Sequence, residues 1–215
     1  MKISNIPQYV KIVWNEFLRK NHVMPRHIKK LKNKDFTVFS SNCNGAIMCH
    51  DLNVRFNSPT VNLSMSAEDF LNFIENLDYY LEADIIEKKN SKESYPVGIL
   101  GNDITLHFMH YKSFDEAINK WNIRKKRVNK KNMFFMMTDR DGCTEAMIKR
   151  FDSLPYEHKL LFSAKEYPDY KSVIFCSEYK NENCVPILTE WRNWHGERLY
   201  DRYFDFVKWL NGIED

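Results

Sequence analysis

The run Met133-Phe-Phe-Met-Met-Thr138, ended by Asp139-Arg-Asp-Gly142, restricts the fold more than any other part of the chain. Six residues without one charge, closed by turn chemistry, are what a strand covered on both faces requires, and such strands belong to parallel sheets. The neighbouring patterns agree. Asp35-Phe-Thr-Val-Phe-Ser40 is β-branched and aromatic and stops at a Ser41-Asn-Cys-Asn-Gly45 turn, with a short helix expected over 46–52. Ser66-Ala-Glu-Asp69 reads as a capping box with Asp in place of Glu. Phe70, Phe73, Ile74, Leu77 and Leu81 follow at helical spacing.

Ile104 to Tyr111 has strand character. Ser113-Phe-Asp-Glu116 opens a second capped helix that buries Phe114, Ala117, Ile118 and Trp121. Further strands are expected at 159–163 and 172–176, helices at 144–151 and 200–210. Strands alternating with helices predict an α/β fold: three layers, a mostly parallel sheet with helices on both faces, and ligands at the carboxyl ends of the strands. Residues 42–45, 107–111 and 139–142 all fall at strand ends. The 215 residues, 43% hydrophobic, suit one domain over 1–215. Residues 1–34 form a helical N-terminal segment packing on its core, with Val10, Val13, Trp14 and Phe17 as an amphipathic stripe. The basic stretch from His22 to Lys34 reads as a surface connector with a solvated face.

Charge and cysteines narrow the setting. Thirty-two basic against 29 acidic residues leave +3, which gives no global basis for nucleic-acid binding. Five cysteines without a C-x-x-C pair favour reduced thiols and a cytoplasmic location. No apolar run reaches the length of a signal peptide or a membrane span.

Cys43 is the chemically suggestive residue. At a strand-to-helix turn, the helix N-terminus would lower its pKa and its N–H groups would hold an anionic intermediate. Gly45 would permit close backbone approach, and Asn42 would offer an amide to an oxyanion. The plain alternative is a small buried residue in an Asn-Gly turn. His107 and His110 point to opposite strand faces, which makes His110 the candidate base and His50 its alternative. Asp141 would orient that histidine. Alternatively, Asp139 and Asp141 would bind a hard cation, or simply open the loop. Lys120, Arg124 and Arg127, at i, i+4 and i+7, would grip phosphate or an acidic sugar, or form an ordinary solvated face. Trp191, Trp194 and His195 would stack on a sugar or close the core.

Several motifs in order, Ser41-Asn-Cys-Asn-Gly45, Ser58-Pro-Thr-Val-Asn-Leu63, Tyr95-Pro-Val-Gly98, His107-Phe-Met-His-Tyr111, Lys120-Trp-x-x-Arg124-x-x-Arg127-x-Asn129 and Phe151-Asp-Ser-Leu-Pro-Tyr156, resemble the bacterial domain-of-unknown-function family 1919 over roughly residues 30 to 212. Its members are often labelled exopolysaccharide biosynthesis proteins. The resemblance implies an α/β domain in bacterial surface-polysaccharide gene contexts, with a sugar or polysaccharide precursor as partner, and no stated reaction. Members of that family often carry an aromatic residue after the cysteine, where this chain has Asn44. The Asn-Cys turn is also similar to the Asn-Cys-Gln turn of a capsule-associated acetyltransferase family that binds coenzyme A, with Asn44 in place of Gln. Three functions follow as expectations. They are an acyltransferase using Cys43, His110 and Asp141 with Asn42, Asn44, Gly45, Lys120, Arg124 and Arg127 binding ligand and a coenzyme A thioester as donor; a nucleotide-sugar-dependent glycosyltransferase-like enzyme; and a non-catalytic assembly protein.

Overall fold

The apolar run does become a strand with both faces covered. In the computed structural model, which describes residues 8–212, Met133–Thr138 (β5) pairs in parallel with Thr37–Ser40 (β1) on one side and His158–Ser163 (β6) on the other. Val173–Phe175 (β7) extends the sheet beyond β6, giving the order β1-β5-β6-β7. Side chains alternate across it. Phe135 and Met137 enter one core cluster with Phe39, Phe73 and Trp121, while Phe134 and Met136 enter a second with Val38, Met48 and Phe206. Burying each Phe contributes about 1.5–3 kcal/mol, so the two-sided strand anchors both layers.

The first layer holds Ala67–Glu75 (α4), Leu77–Glu82 (α5), Phe114–Lys125 (α6) and Glu145–Asp152 (α7). The second holds Asn44–Asp51 (α3), Met24–Lys30 (α2) and Phe206–Leu210 (α8). The two predicted caps form, Ser66 accepting from the Asp69 N–H and Ser113 from the Glu116 N–H, while Thr144 caps the 145–152 helix by accepting from the Met147 N–H. Two expected helices are broken. The one opening at Ser66 divides at Asn76, whose φ of −119° is not helical. The last begins only at Asp205, whose carboxylate caps Val207 and Lys208, after a separate 3₁₀ turn at Leu199–Arg202.

Ile85–Glu87 (β2), Val97–Leu100 (β3) and Ile104–His107 (β4) form a separate antiparallel meander. The 107–111 cluster therefore leaves the carboxyl edge where sequence reasoning placed it. It returns to the parallel sheet indirectly: Ser64 bridges to His107, and the next N–H, of Met65, donates to the Ser41 carbonyl. The segment around Ser58-Pro-Thr-Val-Asn62 closes the open edge of β1. Thr60 Oγ1 accepts from the Ser40 N–H, and Asn57 Nδ2 donates to the Phe36 carbonyl.

The N-terminal helix Gln8–Leu18 (α1) runs through a π-turn at Arg19–Val23 into α2. The wide turn accommodates Pro25, whose ring cannot sit over an ordinary helical turn. The part of the predicted N-terminal segment before Gln8 lies outside the described residues. The helix does not bury its apolar stripe; it is held by polar groups. Asn15 donates to the Asn193 carbonyl and accepts from the Gly196 N–H. Arg19, 2% exposed, reaches Asp51, Asp201, the Gly196 carbonyl and the Tyr200 hydroxyl. Burial would raise the Asp51 carboxyl, but Arg198 and Arg19 outweigh it and hold that pKa below its ordinary value. A pKa depressed on folding contributes stability above the unfolded value of about 3.9, lost as pH falls through the folded value. Asp51→Asn, which leaves Arg19 short of a charge partner, should lower urea stability by about 3–5 kcal/mol at neutral pH. It should also weaken the dependence of stability on pH below about 4, measured by denaturation at several pH values.

Candidate anion-binding site

The turn between β1 and α3 is built by its own side chains. Asn42 donates through Nδ2 to Thr138 Oγ1 (3.1 Å) at the end of β5 and accepts from the Asn44 N–H through Oδ1 (3.1 Å). The amide expected to face an oxyanion is thus engaged in pinning the turn to its neighbouring strand. Asn44 is buried, and Gly45 lies flush on β1: an added Cβ would stand 2.9 Å from Val38 Cγ1 and 3.0 Å from Ser40 Cβ. The Ser40 hydroxyl, beneath this turn, is buried without a hydrogen-bond partner among the described residues.

Cys43 is half-buried at the N-cap of α3. Burial pushes its thiol up rather than down, so desolvation reverses the lowering expected from the helix terminus. His110 is exposed in the turn after β4, and among the described residues no hydrogen bond joins it to Cys43. The residue that this segment brings near the cysteine is Tyr111. Its pKa is raised by burial, with Arg124 opposing the rise and Cys43 among the groups that add to it.

Tyr111 leads to the most unusual charge in the molecule. Its hydroxyl donates to the Val61 carbonyl (2.8 Å) and accepts from Arg124 Nη1 (2.6 Å), which also reaches Val61 O (3.3 Å). Arg124 is 9% exposed and its guanidinium lies 5.6 Å from the centre of the Phe56 ring. No carboxylate pairs with it among the described residues. Arg127, just past α6, donates to the Phe56 carbonyl (3.4 Å); burial and the nearby Arg55 and Arg124 lower its pKa. Arg127 thus feels both Arg124 and Arg55 beside the segment that closes β1, and none of the three forms an ion pair among the described residues.

Lys120, expected on the same line, points to solvent. Arg124 instead continues the buried stripe Ala117–Trp121 at i+3, which is the sequence signal that distinguishes it from its cationic neighbours. Arg55 and Tyr111 had no such signal, because only tertiary packing brings them to Arg124. Asp141 is exposed, with a left-handed φ of 57°, and its carbonyl receives the Ala67 N–H. The Asp139 carboxylate accepts from the N–H groups of Ala164 (2.7 Å) and Val185 (2.8 Å), a latch between strand ends and loop. A groove of about 510 Å³ lies at the amino ends of β6 and β7 between His158, Ser172 and Trp209, opposite the edge favoured on topology.

A parallel-sheet α/β domain with an uncompensated arginine flank is the class of protein that this geometry defines. The chain belongs to the family described as Domain of unknown function (DUF1919), which matches residues 14–211. It is similar to an uncharacterized protein of Haemophilus influenzae, 46% identical over 183 residues that cover 85% of this chain and 87% of that one.

Gly45→Ala should cost about 1–3 kcal/mol by overpacking α3 against β1. Chemical denaturation would measure the loss, and a variant as stable as the parent would show that helix and strand do not meet as closely as described.

Proposed function

We propose that this chain serves bacterial surface-polysaccharide biosynthesis by binding an anionic sugar precursor, bearing phosphate or carboxylate, against Arg124, Arg127 and Arg55. The observation that carries this reading is the nearly buried Arg124 guanidinium without a carboxylate partner. A guanidinium stays charged in proteins, and burying it without a counterion is costly. An arriving oxyanion would supply the missing charge through two parallel N–H bonds, the geometry in which arginine surpasses lysine. Sequence-level kinship to proteins labelled for exopolysaccharide biosynthesis supports the sugar half of the reading.

The test follows from the same energetics. Replacing an unpaired buried charge with an apolar side chain of similar length is neutral or stabilising, and Tyr111 continues to satisfy the Val61 carbonyl. Arg124→Met should therefore keep or raise the melting temperature while abolishing ligand-induced stabilisation. A ligand at about 100 times its Kd adds roughly 2.7 kcal/mol, and each kcal/mol moves the midpoint of a chain this size by about 2–4 °C. Thermal-shift measurements with sugar phosphates, uronates and nucleotide sugars would read this directly. Equal response to neutral sugars, or unchanged binding by Arg124→Met, would remove the reading.

A second reading, acyl transfer from a coenzyme A thioester through Cys43, rests on the position of that half-buried thiol at the N-cap of α3. The Cys43 sulfur would attack the thioester carbonyl and expel the coenzyme thiol, and a sugar hydroxyl would then take the acyl group. Burial keeps the thiol protonated in the free protein, so the proton must leave to a base that binding brings close; His110 would have to move to serve, with Asp141 orienting it. Intact mass spectrometry after incubation with acetyl coenzyme A should show one acetyl group, absent in Cys43→Ala. An unmodified wild-type protein at high coenzyme concentration would exclude the thiol from the chemistry.

A further inference from the structure

The N-terminal helix presents outward what an ordinary surface helix hides. Val13 is 45% exposed, Trp14 47% and Phe17 53%, with Trp14 and Phe17 stacked on each other at 6.2 Å. Its inward side is occupied by Asn15 and Arg19, which are held by hydrogen bonds and ion pairs. The orientation is therefore fixed by the most specific contacts in the segment; among the described residues the apolar face stays exposed, with only the Trp14 Nε1–H donating to the Trp194 carbonyl.

The same arm is strongly basic. Residues 8–34 contain eight lysines and arginines against one acid, Glu16, although the whole chain carries only +3, so the rest is net acidic. Arg19 is consumed by Asp51 and Asp201, whereas Lys20, Arg26, Lys29, Lys30 and Lys32 are exposed and form no ion pair among the described residues. We propose that this arm docks on an anionic lipid surface, with the Val13, Trp14 and Phe17 face entering the headgroup boundary and the lysines beside it meeting lipid phosphates.

Charge decides between occupants. A second copy would bring two arms of equal positive charge together, and a nucleic acid would leave Val10, Val13 and Phe17 without an apolar partner. A lipid interface matches both halves: aromatic and aliphatic side chains insert at the acyl boundary while cations on the same segment are drawn to negative headgroups. No helix among the described residues is long and apolar enough to cross a membrane, so the contact is peripheral. It would place a protein of polysaccharide precursors beside the lipids that carry or receive them, yet it does not depend on the arginine flank.

Co-sedimentation of the full chain with vesicles tests it. Binding to phosphatidylcholine vesicles containing phosphatidylglycerol, absent with phosphatidylcholine alone and falling at least tenfold in high salt, is the expected result. Val13→Ser/Phe17→Ser and, separately, Lys29→Glu/Lys30→Glu should each reduce the bound fraction several-fold with unchanged circular dichroism and melting temperature, since all four side chains are exposed. No binding to the anionic vesicles, or equal binding to the neutral ones, would overturn the proposal. A wild-type dimer that Val13→Ser/Phe17→Ser converts to monomer, without vesicle binding, would overturn it in favour of self-association.

Discussion

A guanidinium cannot shed its charge on burial, and this fold is organised around two that it buries differently. Arg19 is surrounded by compensation: two carboxylates, a carbonyl and a tyrosine hydroxyl drawn from residues 51 and 196–201. That network ties the first helix, the end of α3 and the C-terminal segment into one assembly, and it sets the helix with its polar side inward. Breaking one partner leaves a charge in low dielectric, so the assembly stands or falls together. Arg124 has the opposite surroundings. Two neutral oxygens and an aromatic ring accept it, and Arg127 and Arg124 repel each other.

The two arginines differ in whether their charge is compensated. A compensated charge explains a fold and asks for nothing more. An uncompensated one is a free-energy cost retained in the resting protein, and such costs collect where a ligand relieves them. The β1–α3 turn is more settled than its composition suggested. Asn42 is spent on Thr138 and Asn44, and Cys43 is held protonated by its own burial. The glycine serves the close approach of helix to strand as much as any ligand.

Legibility in the sequence followed locality. The strand at 133–138, the Ser66 and Ser113 caps and the alternating order of elements depend on neighbours within a few residues, and all could be read from pattern. Family membership was legible from an ordered string of motifs. The docking of the antiparallel sheet through Ser64 and the outward face of the first helix depend on partners tens to hundreds of residues away. Helical periodicity at Val10, Val13, Trp14 and Phe17 identifies a stripe, but it cannot say which side the protein covers, because Asn15 and Arg19 find their partners near residue 193 and beyond.

The sequence by itself determined that the chain makes an α/β domain with a two-sided parallel strand, since hydrophobic period and capping chemistry are carried by adjacent residues. Only the tertiary structure decided where charges lie relative to one another. It closed the Arg124 guanidinium against Tyr111 and Val61, set Arg127 near it, left His110 without a hydrogen bond to Cys43 among the described residues and kept the apolar face of the first helix exposed. The physical reason is that electrostatic and solvation energies depend on distances through space, and distance along the chain fixes those only within an element.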